Sequence, residues 1–136
     1  MRIERVSPLD WNKYGMQKAY ESSFGQSRDA GLERFAFALV AVDDDNDPVG
    51  FITCHELDSE TVYWQIGGAF DKVKNTYSVI TYYLGFITYC RGRFKRIRTR
   101  IENTNLRMLK LALKCGFLIV GTLTFNNTTY LELVHG

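Results

Sequence analysis

The sequence predicts a mixed α/β domain in which helices cover one central sheet of about seven strands. Three observations carry this expectation. Short apolar runs alternate with the period of strands, two stretches near residues 75–93 and 104–115 repeat with the period of helices, and turn signals separate them. The 136 residues make one domain, 1–136, long enough to bury a core without staples.

The elements follow in order. "RIERVS" alternates like a short strand. Pro8 opens "PLDWNKYGMQKAYESSFG", where Leu9, Tyr14, Met16 and Tyr20 form a helical apolar stripe ending near Gly25. Residues 26–33 are polar and fit either a loop or a short second helix. "RFAFALVAV" and "PVGFITCHEL" are strands joined by "DDDNDP", a strong hairpin signal. "TVYWQIGGAF" is another strand, and Gly67-Gly68 near its end predicts a bulge or a close backbone approach. "NTYSVITYYLGFITYCRGR" places apolar residues at 79, 80, 83, 84, 86, 87 and 90, one face of a helix. "FKRIRTRIE" is a strand, residues 104–115 a helix closed by Gly116, and "FLIVGTLTF" with "TTYLELV" a final hairpin.

Composition is that of a soluble globular protein, with 46% hydrophobic and 24% charged residues, and a net charge of +2 names no partner. Cys54, Cys90 and Cys115 are an odd number, far apart and set among apolar neighbours. Reduced buried thiols are expected, and neither a disulfide framework nor a metal site. The start "MRIERVSPLDWNKYG" lacks the apolar core of a signal peptide, and no window approaches a membrane span, so a cytoplasmic location is expected.

The element order, the bulged strand and the stretch "NTNLRMLKLALKCGF" together resemble the GCN5-related N-acetyltransferase (GNAT) superfamily. The topology matches over nearly the whole chain, the motif over residues 95–122. That family's ending runs asparagine, a leucine six residues on, then tyrosine, lysine and Gly-Phe. Asn105, Leu111, Lys114, Gly116 and Phe117 match, and Ala112 stands where the tyrosine would. The resemblance implies a central parallel strand pair, near residues 61–70 and 95–102, splayed at Gly67-Gly68. It also implies acetyl-CoA as co-substrate. The pantetheine arm would pair with Ile66, Gly67, Gly68 and Ala69, and the pyrophosphate would meet Lys74, Asn75, Thr76, Tyr77 and Ser78 at a helix start. The family's loop carries Gln or Arg and two small residues where this chain has Val73, Thr76 and Ser78, so the loop is degenerate. Lys72 and Lys74 supply positive charge beside it. Asn105 either contacts the ligand amide or caps the helix.

Amine acetylation needs a base for the ammonium and tolerates the absence of an acid, because a thiolate is an acceptable leaving group. Glu56 and Glu60 are the candidate bases, with His55 more at home as a packing residue. Tyr130, Tyr77 and Cys115 are the candidate acids that replace the missing tyrosine. A last feature is "RGRFKRIRTR". Strand alternation puts Arg96, Arg98 and Arg100 on one face, open to an acidic substrate, a nucleic acid or a protein partner, or balanced by "DDDND" or Glu60. Three functional readings follow, in this order: an acetyl-CoA-dependent N-acetyltransferase acting on a small-molecule or protein amine, a non-catalytic binding or virion/head-assembly protein on the same fold, which resembles short versions from tailed bacteriophages, and a nucleic-acid contact through the arginine strand.

Overall fold

In the computed structural model, residues 1–25, 34–74 and 76–136 are described, and the loop-or-helix expectation for residues 26–33 lies outside them. Among the described residues, seven strands and three α-helices follow one another as β1 (Arg2–Val6), α1 (Met16–Phe24), β2 (Phe37–Val42), β3 (Pro48–Glu56), β4 (Thr61–Ala69), α2 (Ser78–Arg91), β5 (Arg96–Glu102), α3 (Leu106–Lys114), β6 (Leu118–Phe125) and β7 (Thr128–His135). The strands form one sheet in the order β1-β2-β3-β4-β5-β7-β6. Only β4 and β5 pair in parallel, joined through the α2 crossover, and the other neighbours are antiparallel. Among the described residues, no helix is long and apolar enough to cross a membrane.

The expected first helix is divided. A single 3₁₀ turn covers Pro8–Asp10, and α1 starts only at Met16. Gly15 adopts φ 74°, a left-handed conformation that halts helix propagation. The Asn12 carboxamide then accepts from the Gln17 amide at 3.0 Å, satisfying one orphan donor of the new helix. The closing hairpin is as the sequence predicts: Asn126 and Asn127, at φ 49° and 63°, supply the two left-handed residues of a tight turn.

Two hydrophobic layers hold the sheet. On one face Phe37, Leu39, Val62, Trp64 and Ile97 pack against Tyr83, Phe86 and Cys90 of α2 and against Leu109 and Ala112 of α3. On the other, Val40, Val42 and Phe51 pack against Trp11, Met16 and Tyr20. Trp64 is the hub of the first layer. Its ring meets Tyr83 edge-on at 5.4 Å and Phe117 at 5.6 Å, and its indole N–H donates to Cys90 Sγ at 3.4 Å. Along β5 the expected alternation holds: Ile97, Thr99 and Ile101 are buried while Arg98 and Arg100 are exposed.

The feature that shapes the molecule lies in the middle of β4. Ile52 pairs with Gly67 but Cys54 pairs with Trp64, so β4 spends one residue more than β3 over this interval. The bulge thus sits at Gln65-Ile66. The buried Thr53 hydroxyl fills it, accepting from the Ile66 amide at 3.1 Å and donating to the Ile66 carbonyl at 3.2 Å. The parallel pairing of β4 with β5 ends here as well, at Trp64 opposite Thr99, where the Thr99 hydroxyl donates to the Trp64 carbonyl at 3.1 Å. The two strands therefore part from Gln65 onward, two residues ahead of the expected point at Gly67-Gly68.

Gly67 and Gly68 are required by this chain's own packing. A Cβ on Gly67 would lie 2.5 Å from Ile52 Cδ1 and 2.9 Å from the Phe51 carbonyl oxygen, and one on Gly68 would lie 2.8 Å from the Phe24 ring. The backbone oxygen cannot yield as a ring edge can. Chemical denaturation should therefore show Gly67→Ala destabilised by about 1–3 kcal/mol, the usual range for overpacking, and Gly68→Ala by less.

Candidate functional site

Where β4 and β5 part, a cleft of about 730 Å³ opens between the strand ends and helices α2 and α3. One wall is Ile66, Gly67, Gly68 and Ala69 of β4; the last three pair with β3 on one side, and among the described residues no strand pairs with the segment on the other. Lys74 and Thr76 come from the loop before α2, and Asn105 and Arg107 from the start of α3. Ile80, Tyr82, Tyr83 and Leu111 supply apolar and aromatic floor. Three cations, Lys74, Arg100 and Arg107, line the cleft against one carboxylate, Glu102, among the described residues.

The loop before α2 is held from both ends. Thr76 acts as the effective cap: its hydroxyl accepts from the Ser78 amide at 3.3 Å and donates to the Val73 carbonyl at 2.6 Å. The Thr76 amide also donates to the Val73 carbonyl at 3.0 Å, and the Val79 amide to the Thr76 carbonyl at 3.3 Å. Amides at positions 76, 78 and 79 are thus engaged inside the loop. Lys72, expected beside a phosphate, points elsewhere. Its ammonium bonds Asp43, and reaches Asp45 and Asp47 at 3.4 and 3.3 Å, tying the β2–β3 turn to the loop. Those three carboxylates could otherwise hold a cation, and Lys72 fills that role. Lys74 is left as the loop's cation facing the cleft. Tyr77 is 89% exposed and, like Ser78, does not line the cleft, while Asn75 lies outside the described residues.

At α3 the expected capping role of Asn105 is present. Its side-chain oxygen accepts from the Met108 amide at 3.2 Å, which leaves the amide N–H₂ for a ligand in the cleft that Asn105 also lines. Ala112 is fully buried in the core cluster that contains Tyr83, Leu109 and Phe117. The site has closed around the small side chain.

The candidate catalytic residues fare unevenly. Glu56 ends β3 opposite Val62, and Glu60 precedes β4, where its carboxylate pairs with Lys95 at 3.2 Å and Arg96 at 3.6 Å. Neither lines the cleft, which opens at the other end of β4, roughly 17 Å away at strand rise. Tyr130 sits opposite Glu102 in β7, outside the cleft lining. Cys115 is buried, and burial pushes its thiol up, making it a poorer proton donor. His55 bonds Gln65 at 2.7 Å, beside the bulge. Residues that sequence reasoning missed are Arg107, Tyr82, Tyr83 and Glu102. Burial pushes both tyrosines well above their ordinary range, and the Tyr83 hydroxyl is buried without a hydrogen-bond partner among the described residues. For Arg107 a signal existed, since it lies two residues after Asn105 and thus in the same first turn of α3.

The arginine face of β5 is partly compensated. Arg96 is taken up by Glu60 and by the Thr61 hydroxyl at 3.0 Å. Arg98 and Arg100 share Glu132 of β7, at 3.9 and 3.2 Å. Each of the three thus has an acidic neighbour, and Arg98 is the least tightly held. Arg98, Arg100 and Glu132, with Leu57, Tyr63 and Thr99, line a smaller cavity of about 200 Å³, and Thr99 and Arg100 line the cleft too, so the two adjoin.

No protein-family model matches the chain, and no curated protein matches it in sequence. Solved structures match it in shape. A chimera of spermidine N-acetyltransferase SpeG from Vibrio cholerae and hSSAT aligns over 99% of this chain and 95% of its own, with a TM-score of 0.74 at 10% identity. Ard1 from Thermoplasma volcanium aligns over 98% and 95%, with a TM-score of 0.70 at 15% identity. A GNAT family acetyltransferase from Elizabethkingia anophelis with acetyl-CoA bound aligns over 73% and 74%, with a TM-score of 0.62 at 17% identity. Similarity at these identities establishes the fold: a mixed seven-stranded sheet of the GNAT type, with its central parallel pair.

Two outcomes follow from the site. Ala112→Tyr should lower the melting temperature, corresponding to about 1–3 kcal/mol, because a ring must enter a filled core. The second concerns pH. Lys72 holds the Asp43 carboxyl below its ordinary value of 3.8, so the pair's contribution is fully present above that value and is lost as pH falls through the depressed one. Thermal melts should therefore show Lys72→Met below wild type at neutral pH, with the gap closing below about pH 4.

Proposed function

We propose that this chain is an acetyl-CoA-dependent N-acetyltransferase with a degenerate cofactor loop. The observation that carries the reading is the parted β4–β5 pair. An extended pantetheine arm can add to Ile66–Ala69 as a strand would, its amides meeting backbone that no neighbouring strand uses. The similar fold of the acetyl-CoA-bound acetyltransferase from Elizabethkingia anophelis supports the same ligand. Lys74 and Arg107 supply charge for the phosphates, and the Asn105 N–H₂ a donor for the arm.

Much of the phosphate binding in this reading is electrostatic, since three loop amides are already engaged. None of the candidate acids Tyr77, Cys115 and Tyr130 lines the cleft, and in this reading the thiolate leaves unprotonated. The ammonium proton departs through the open cleft, with Glu102 the carboxylate best placed to receive it. Glu56 and Glu60 lie outside the cleft. A second reading, a non-catalytic binding or virion-assembly protein on this fold, is favoured by the closure of the core around Ala112.

Calorimetric titration separates the two. Acetyl-CoA should bind wild type, and more weakly after Lys74→Ala or in raised salt, because the contact is partly electrostatic. Thiol release with an amine panel should fall in Glu102→Gln and stay unaltered in Glu56→Gln. No heat and no thermal shift at millimolar acetyl-CoA would sink the enzyme reading.

A further inference from the structure

We infer that the acceptor amine carries a carboxylate, bound by Arg98 and Arg100 in the small cavity beside the cleft; this rests on the acetyltransferase reading above. The cavity's position is the first argument. It meets the main cleft at Thr99 and Arg100, at the point where β4 and β5 separate. A thioester brought along β4 would present its carbonyl toward this junction, and an amine held in the cavity would face it.

Charge is the second argument. Two guanidiniums face one carboxylate, Glu132, whose side chain is 24% exposed, so the cavity has an excess positive charge among the described residues. Glu132 satisfies Arg100 with one hydrogen bond, Nε to Oε1 at 3.2 Å. Its approach to Arg98, at 3.9 Å, is too long for a hydrogen bond. The Arg98 guanidinium makes no hydrogen bond among the described residues, so its planar fork of donors is available to a carboxylate in the bidentate geometry guanidinium favours. Leu57, Thr99 and the body of Tyr63 complete the lining and offer apolar surface to the acceptor's carbon spacer.

Size fits a small acceptor. About 200 Å³ admits an amine with a short aliphatic spacer and a carboxylate, and is too small for a folded protein segment. The reaction balances without a further reactant: the ammonium first gives one proton to Glu102, the neutral amine nitrogen bonds the acetyl carbon as the C–S bond breaks, and the second nitrogen proton passes to solvent as the thiolate departs.

The test compares amines matched in length, with and without the carboxylate. β-Alanine is set against ethylamine and 4-aminobutyrate against propylamine, with coenzyme A thiol release as readout. The carboxylated member of each pair should show kcat/KM at least about tenfold higher, the scale of one charge-assisted hydrogen bond. Arg98→Gln should bring that ratio toward one. A second measurement needs no turnover: NMR titration with N-acetyl-β-alanine and N-acetylethylamine should show binding of the first only, and its loss in Arg98→Gln. Equal or greater preference for the uncharged amines, or a ratio indifferent to Arg98→Gln, overturns the inference while leaving the acetyltransferase reading intact. Failure of wild type to bind acetyl-CoA in the calorimeter overturns that reading, and this inference with it.

Discussion

One surplus residue in β4, opposite Thr53, governs the shape of the site. A sheet can continue only while each strand keeps its backbone groups matched to its neighbours. At Gln65-Ile66 the register slips, and the Thr53 hydroxyl takes over both bonds that β3 no longer offers Ile66. Thr53 is completely buried, so without that hydroxyl two backbone groups would lie unpaired in the core. The slip also turns β4 away from β5, and the parallel ladder ends at Trp64 and Thr99. The cleft opens at that divergence, with α2 and α3 completing its walls.

Stabilising the loop before α2 and leaving it open to phosphate pull in opposite directions. Thr76 and Lys72 serve the first: one closes the helix start with its own hydroxyl, and the other anchors the loop to three aspartates of the β2–β3 turn. Each commits a group that could otherwise have met an anion. In the proposed function the phosphates would therefore rely mainly on the charge of Lys74 and Arg107, which line the cleft. Affinity of that kind is more sensitive to salt than affinity built from fixed amides.

The aromatic cluster explains why an alanine sits in α3. Trp64, Tyr83 and Phe117 meet beneath that helix, each ring within about 6 Å of a neighbour. Their volume occupies the space a larger residue at 112 would need, and such interiors are packed close to the density of organic crystals. In the proposed reaction an acid at that position is dispensable because the departing group is a thiolate.

What the sequence determined by itself is whatever depends on local period and local backbone preference. The alternation Arg96–Ile101 sorted itself onto two faces of β5, Asn126 and Asn127 turned the last hairpin, and Asn105 capped α3, because each is decided within a few residues of chain. The division of the first helix at Gly15 was written locally too, in a glycine whose left-handed conformation the apolar stripe concealed. Only the tertiary structure decided where β4 leaves β5, that Lys72 serves Asp43 rather than a ligand, that Glu60 is spent on Lys95 and Arg96, and that Arg98 and Arg100 share Glu132. These depend on register and on partners 25 to 36 residues apart in the chain, as at Lys72 with Asp47 and Glu60 with Arg96, or on strands brought together by the crossover. A charged or glycine residue carries no local mark of which distant neighbour will meet it, since that is settled by packing free energy summed over the whole sheet.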